Sequence, residues 1–270
     1  MQTLRVLAAT LALAAATAVA QEEVPFVTTP DQVTLAMLRL AGVGPRDHVI
    51  DLGSGDGRIV ITAARRFGAS GLGVEIVPEL VRQSLANAQA AGVAGRASFA
   101  QQDLFATELS PATVITMYLL PEVNLQLRPR LLALAPGTRI VSHDWDLGDW
   151  QADESVTVEV PDKTVGRDKF SRVYLWRVPA RVQGLWCAPG ASLEITQRFQ
   201  RFSATLALAA SSAPPQVFDG RIDGLTLQAR GLHNALLHAE GPGLRIGRLD
   251  GAGAALAGQR LARANAAQCP

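Results

Sequence analysis

Lysine is nearly absent from this sequence. Lys163 and Lys169 are the only two, and the rest of its 25 basic side chains are arginines. With alanine abundant, that bias is what a GC-rich bacterial genome produces. Net charge is missing too: 25 basic against 24 acidic residues leave +1, too little for the basic footprint that neutralises nucleic-acid phosphates. Cysteine is reduced to Cys187 and Cys269, with no CxxC and no Cys/His cluster. That excludes both a cysteine-rich scaffold and a zinc site of the usual spacing. What is present is apolar content of 48% over 270 residues, enough for one large or two modest domains.

The apolar stretch from Val6 to Ala20 falls short of the roughly 20 residues of a membrane-spanning helix. It follows a single charge, Arg5, and closes Ala18-Val19-Ala20 before Gln21-Glu22-Glu23. This is the pattern of a secretory signal peptide over residues 1–20 with an A-x-A cleavage site. Cleavage removes Arg5 alone and leaves equal numbers of basic and acidic residues. The mature chain is expected in the periplasm or cell envelope, without a stable membrane span. In such an oxidising compartment Cys187 and Cys269 are expected to pair as a disulfide.

Val49 to Gly57 reads Val-Ile-Asp-Leu-Gly-Ser-Gly-Asp-Gly. An apolar strand ends on a carboxylate, breaks into alternate glycines and leads into a helical pattern at Arg58. Glycine supplies positive φ and close backbone approach, and the helix start offers free N–H groups. Such a loop holds a nucleotide-like ligand at the C-terminal edge of a parallel sheet. The dinucleotide fingerprint G-x-G-x-x-G is not met, because the third glycine comes one residue early. The spacing suits S-adenosylmethionine (SAM), which has no pyrophosphate to seat on the helix.

In chain order, Thr29-Pro30-Asp31-Gln32 predicts a capping box, with Thr29 as N-cap of a first helix that Gly42 or Gly44 ends. Strands are expected at His48 to Leu52, Gly71 to Ile76, Ala97 to Gln101, Thr113 to Tyr118 and Thr138 to Ser142. Helices are expected from Arg58, from Pro78 and after Pro121, the last broken or kinked at Pro129. Val156 to Val160 and Arg172 to Val178 read as an antiparallel pair closing the sheet. Alternation of helix and strand makes this a doubly wound α/β domain. Asp51, Glu75 and Asp103 close three successive strands. Glu75 is placed to accept ribose hydroxyls, and Asp103 an adenine amino group.

The run Val27-Thr28-Thr29-Pro30, the loop Asp51 to Arg58, Tyr118-Leu119-Leu120-Pro121 and Gly137 to His143 together resemble class I SAM-dependent methyltransferases. Among these the resemblance is to the ATP synthase c-subunit lysine methyltransferase family, over roughly residues 24–178. It implies a seven-strand Rossmann-like sheet in a domain of residues 24–179 and a protein lysine as acceptor. Asp51, Gly53, Gly55 and Glu75 would contact SAM, together with Ser54, Asp56 and Gly57 of the same loop, and Asp103 at the adenine. Thr28, Thr29, Tyr118 and Pro121 would line the approach to the methyl group. The chain departs from the family in its leader and in an added C-terminal region.

Methyl transfer from a sulfonium requires alignment and exclusion of water rather than covalent help. A lysine acceptor must be neutral, which a desolvated apolar pocket favours against its free pKa of about 10.4. Tyr118 to Pro121 supply such a wall, with the phenol orienting the amine. His143 and Asp144, at the end of the fifth strand, are candidate base or orienting groups; they lack the partners of a metal site. The tetrapeptide of amino-base methyltransferases is absent after the fourth strand, which argues against nucleic-acid amino groups as acceptors. Cytoplasmic SAM supply conflicts with export, so an exported binding protein of methyltransferase fold and a small-molecule methyltransferase stand as alternatives. Residues 181–270 alternate apolar and polar positions between glycines and read as a small antiparallel β meander. It is expected to recruit an envelope component or simply to cover a face of the sheet.

Overall fold

The computed structural model describes residues 27–164, 168–212, 214–231, 233–265 and 268–269. The expected leader and Pro25-Phe26 lie outside them. The first domain runs α1 (Asp31–Leu40), β1 (His48–Leu52), α2 (Arg58–Phe67), β2 (Ser70–Glu75), α3 (Pro78–Ala90), β3 (Ala97–Gln101), β4 (Val114–Met117), α4 (Pro121–Leu132), β5 (Arg139–His143), β6 (Glu154–Glu159) and β7 (Phe170–Arg177). Its sheet has the order β3-β2-β1-β4-β5-β7-β6, parallel through β5, with β7 antiparallel to β5 and to β6. This is a Rossmann-like, doubly wound sheet. Order reverses between β1 and β4, and a ligand crevice opens at the carboxyl ends of strands beside such a switch.

Alternate side chains of one strand serve opposite layers. Val49, Val114 and Val141 pack with Val33, Met37 and Leu38 of α1, while Ile50, Ile115 and Ile140 pack with Leu127 and Leu131 of α4. Burial on both faces explains why these strands read as continuous apolar runs.

Two local expectations are corrected. Pro30, not Thr29, is the N-cap of α1, and no side chain caps it; the Thr29 hydroxyl bonds His143 instead. Helix α4 is not broken at Pro129 but runs through it to Leu132. Pro129 is exposed, so the carbonyl that loses its donor faces water, and buried Leu127 and Leu131 hold both sides of the proline in the core.

The C-terminal region does more than meander. Strands β8 (Gly184–Ala188), β9 (Ala191–Arg198), β10 (Arg201–Leu208), β11 (Gln216–Asp223), β12 (Thr226–Ala229), β13 (Ala235–Glu240), β14 (Gly243–Leu249) and β15 (Arg260–Arg263) form a closed antiparallel barrel, with a 3-10 helix at Gly251–Leu256. Closure removes the two free edges that an open meander would leave. Trp186, Leu193, Phe202, Phe218, Leu237 and Ile246 are among the side chains that fill it. Gly220 lies within a strand rather than a turn. A Cβ there would sit 2.6 Å from the Phe202 ring, so the missing side chain makes room for it. Closure rests on a short seam in which Ala262 and Arg263 pair with Cys187 and Trp186. The expected disulfide, Cys187 to Cys269, ties the chain end to that seam.

The barrel meets the first domain through Phe199, stacked on buried Trp150 with ring centroids 6.0 Å apart, and through Arg198, which pairs with Asp149 at 3.0 Å. Arg177, at the end of β7 and opposite the start of β5, approaches Asp223 of the barrel at 3.8 Å. The Arg177 contact lies at the end of the sheet away from the glycine loop, while Phe199 packs against the core on the α4 face.

Candidate functional site at the carboxyl edge of the sheet

The loop after β1 is built by backbone bonds to β2. The N–H groups of Gly53 and Ser54 both donate to the Val74 carbonyl, at 3.0 and 2.9 Å. Gly53, Gly55 and Gly57 take φ of 76°, 53° and 81°, a left-handed region that favours glycine. Gly73, beneath the loop, can carry no side chain, since a Cβ there would lie 2.6 Å from the Ser54 side chain.

Three carboxylates surround this loop. Asp51 is fully buried and accepts from Thr116 Oγ1 of β4 at 2.6 Å. Burial pushes its pKa up to about 7, the charges of Glu75 and Asp56 add to the rise, and the Thr116 bond opposes it. Glu75 accepts the Gly55 N–H at 3.0 Å on one oxygen and those of Ile76 and Val77 at 2.8 and 3.0 Å on the other. It thus holds the loop to its own strand end. Asp56 is gripped by Arg58 through Nε at 2.9 Å and Nη2 at 2.6 Å, and its peptide carbonyl accepts from Asn87. Asp103, exposed beyond β3, accepts from Phe105 N–H at 2.8 Å.

The structure brings Asp51, Gly53, Ser54, Gly55 and Glu75 together at one strand edge, with Asp103 two strands away. Gly57 turns inward: a Cβ there would strike Phe99 and Ser84, so its role is to start α2 against the core. Thr28 is exposed and Pro121 opens α4.

A second group assembles at the ends of β4 and β5. Tyr118, half-buried, stacks on His143 with ring centroids 3.9 Å apart. His143 is buried, with Nδ1 3.2 Å from Thr29 Oγ1 and Nε2 2.9 Å from Ser171 Oγ. Burial lowers its pKa to about 4 despite the neighbouring Asp144 carboxylate, so the ring is neutral at ordinary pH. Burial also raises the Tyr118 phenol, helped by the Asp144 charge. Asp144 takes a left-handed φ of 61°, accepts Arg172 N–H at 2.9 Å and binds Lys163 Nζ at 2.7 Å.

Several working residues were not singled out from sequence. Arg58 ties the two groups together, gripping Asp56 while its Nη1 donates to the Thr29 carbonyl at 2.9 Å. Thr116 aligns with Asp51 through strand register alone. Only the i, i+2 spacing of Asp56 and Arg58 offered a signal; Ser171 and Lys163 approach the site through strand pairing that no local pattern shows. Ile76, Phe105, Leu120 and Trp145 stand exposed along the same edge and give it apolar walls.

These residues fit SAM, a ligand with a sulfonium and an ammonium. Asp51 and Glu75 lack any cationic side-chain partner among the described residues, and Arg58 is committed to Asp56. The buried Ser54 hydroxyl has no partner of its own, and a ligand can satisfy it.

Comparison with known proteins agrees. Residues 51–154 match the ANTKMT methyltransferase domain. A protein-lysine N-methyltransferase of Saccharolobus islandicus (strain REY15A) is 48% identical over 138 residues, 50% of this chain and 86% of that protein. The human ATP synthase c-subunit lysine N-methyltransferase is 34% identical over 131 residues, 48% of this chain and 54% of that protein. The chain thus spans about half the length of that human relative. A solved RNA methyltransferase of Salinibacter ruber, in complex with S-adenosyl-L-homocysteine, is 49% identical with a TM-score of 0.52, over 58% of this chain and 96% of that one. Glycine loop, carboxylate edge and relatives converge on one assignment: the chain belongs to the SAM-dependent methyltransferases, with the ANTKMT domain matched over residues 51–154.

Proposed function

We propose that this protein methylates a lysine amine of another protein. The observation that carries the reading is the 48% identity to the archaeal protein-lysine N-methyltransferase across 86% of its length. When bound, SAM supplies an electrophilic methyl group; the amine lone pair forms the N–C bond as the C–S bond electrons return to sulfur, and the amine proton leaves to solvent.

The residues divide this work. Asp51, Ser54 and the backbone of Gly53 and Gly55 hold the cationic end of SAM, Glu75 the ribose and Asp103 the adenine. Thr28, Thr29, Tyr118 and Pro121 line the approach of the amine, where apolar Leu119 and Leu120 favour its neutral form. His143 acts as a positioning residue rather than a base. Both of its nitrogens are engaged and its ring is buried, so it carries Tyr118 on one face and fixes Thr29 at one edge. The Tyr118 phenol, kept protonated by its surroundings, orients the acceptor.

The test is incubation with SAM labelled in the methyl group and an envelope extract, followed by hydrolysis and identification of the labelled amino acid. Label in methyl-lysine supports the reading. Label confined to RNA or to a small molecule replaces the acceptor, and absence of label despite S-adenosylhomocysteine binding leaves a binding protein.

The mature chain is exported, and acceptors are methylated either before export or with SAM brought to the same compartment. Support comes from the A-x-A leader and from the Cys187 to Cys269 disulfide, which suits an oxidising compartment. N-terminal sequencing of the native protein checks it: a chain starting at Gln21 agrees, and one starting at Met1 in a cytoplasmic fraction does not.

A further inference from the structure

A groove of about 1040 Å³ opens between the outer wall of the barrel and the end of the sheet away from the glycine loop. Strand register sets its chemistry. Arg201 of β10 stands directly opposite Arg198 of β9 on one side and Arg221 of β11 on the other. Three arginines therefore form one row across three neighbouring strands, and like charges directly opposite one another destabilise a sheet. The flanking two are relieved by the first domain, since Arg198 pairs with Asp149 at 3.0 Å and Arg221 pairs with Asp153. The middle one is not. Arg201 makes no ion pair among the described residues, and neither does Arg230, which follows β12 on the same wall.

We propose that this groove binds an acidic segment of a partner protein, whose carboxylates pair with Arg201 and Arg230. Arginine meets a carboxylate through two parallel N–H bonds, and an anion here would relieve the repulsion within the row. The wall also carries Asp219, opposite Ser203 in the next row. A nucleic-acid backbone, charged at every step, would set a phosphate against Asp219, whereas a peptide places its carboxylates residue by residue. The closed barrel leaves no strand edge for a peptide to extend, so side chains carry the recognition. This surface stands apart from the transfer site and does not depend on the identity of the methyl acceptor.

The probe is a fluorescein-labelled peptide in which glutamate alternates with serine, titrated into the whole protein at low ionic strength and followed by anisotropy. A hexauridylate RNA with the same label is run beside it. Saturable peptide binding is expected, weakened about 10-fold or more by Arg201→Glu, further by adding Arg230→Glu, and unchanged by Arg66→Glu on α2. Both groove residues are exposed, so circular dichroism and S-adenosylhomocysteine affinity should stay those of the parent. RNA binding equal to or tighter than that of the peptide, and lost in Arg201→Glu, would overturn the proposal in favour of a nucleic-acid surface. No saturable peptide binding, or binding indifferent to both substitutions, would overturn it outright.

Discussion

The phenol ring of Tyr118 lies on the imidazole of His143, centroids 3.9 Å apart and planes inclined by 29°. The ends of β4 and β5 therefore present one surface, and Thr29, bonded to the far edge of the imidazole, places the lead-in segment against it. A residue that carries another residue should be separable from it by mutation.

Tyr118→Phe keeps the ring stack and removes only the hydroxyl. Turnover should fall about tenfold, the size of one lost hydrogen bond in the transition state, with S-adenosylhomocysteine affinity unchanged. His143→Ala should instead destabilise the fold by about 2 to 4 kcal/mol, because it opens a cavity and strands the hydroxyls of Thr29 and Ser171. Steady-state kinetics, calorimetric titration and thermal melts separate the two effects.

The pH dependence of stability follows from two buried groups with opposite shifts. Asp51 rises from 3.8 to about 7 on folding, so the folded state holds more protons across that window and stability falls as pH rises through it. His143 drops from 6.5 to about 4, so the folded state holds fewer, and stability is lost as pH falls through that window. Between about pH 4 and 6.5 the two slopes oppose each other. In Asp51→Asn, stability should rise with pH over this range; in His143→Gln it should fall. Denaturant titrations at successive pH values give both signs.

Ligand binding offers a second reading of Asp51. A cationic ligand favours its ionised form, so SAM should bind more tightly above pH 7 and release a proton when it binds near pH 6. Calorimetry in two buffers of different ionisation enthalpy detects that proton, and Asp51→Asn should abolish it.

Glu75 has two jobs that graded substitutions resolve. Glu75→Gln loses charge and one acceptor oxygen, and should weaken SAM about 10-fold while retaining part of the loop anchor. Glu75→Ala frees the N–H groups of Gly55, Ile76 and Val77 as well. It should therefore increase hydrogen exchange at those amides, a change that loss of a ribose contact alone does not produce.

Cys187 and Cys269 close 82 residues of chain. Cys187→Ser with Cys269→Ser should destabilise the barrel by roughly 4 kcal/mol at most on chain-entropy grounds. The methyltransferase domain should keep its ligand affinity, which a melt with and without S-adenosylhomocysteine shows.

Elements set by local signals were legible in the amino-acid order. The strand ending on Asp51, the glycine loop, the acidic ends of the next two strands and the apolar strands of a doubly wound sheet depend on residue type and spacing over ten residues or fewer. The tertiary structure decided what depends on partners distant in the chain. Thr29 has the sequence of a helix cap, yet a buried imidazole 114 residues away takes its hydroxyl, because an unbonded nitrogen inside the core costs more than an uncapped helix end in reach of water. Period-two alternation showed which barrel residues face inward, but not that β15 returns to β8, since side-chain pattern is blind to which edges meet. The arginine row has the same origin: three arginines separated in sequence become neighbours only when strand register sets them side by side.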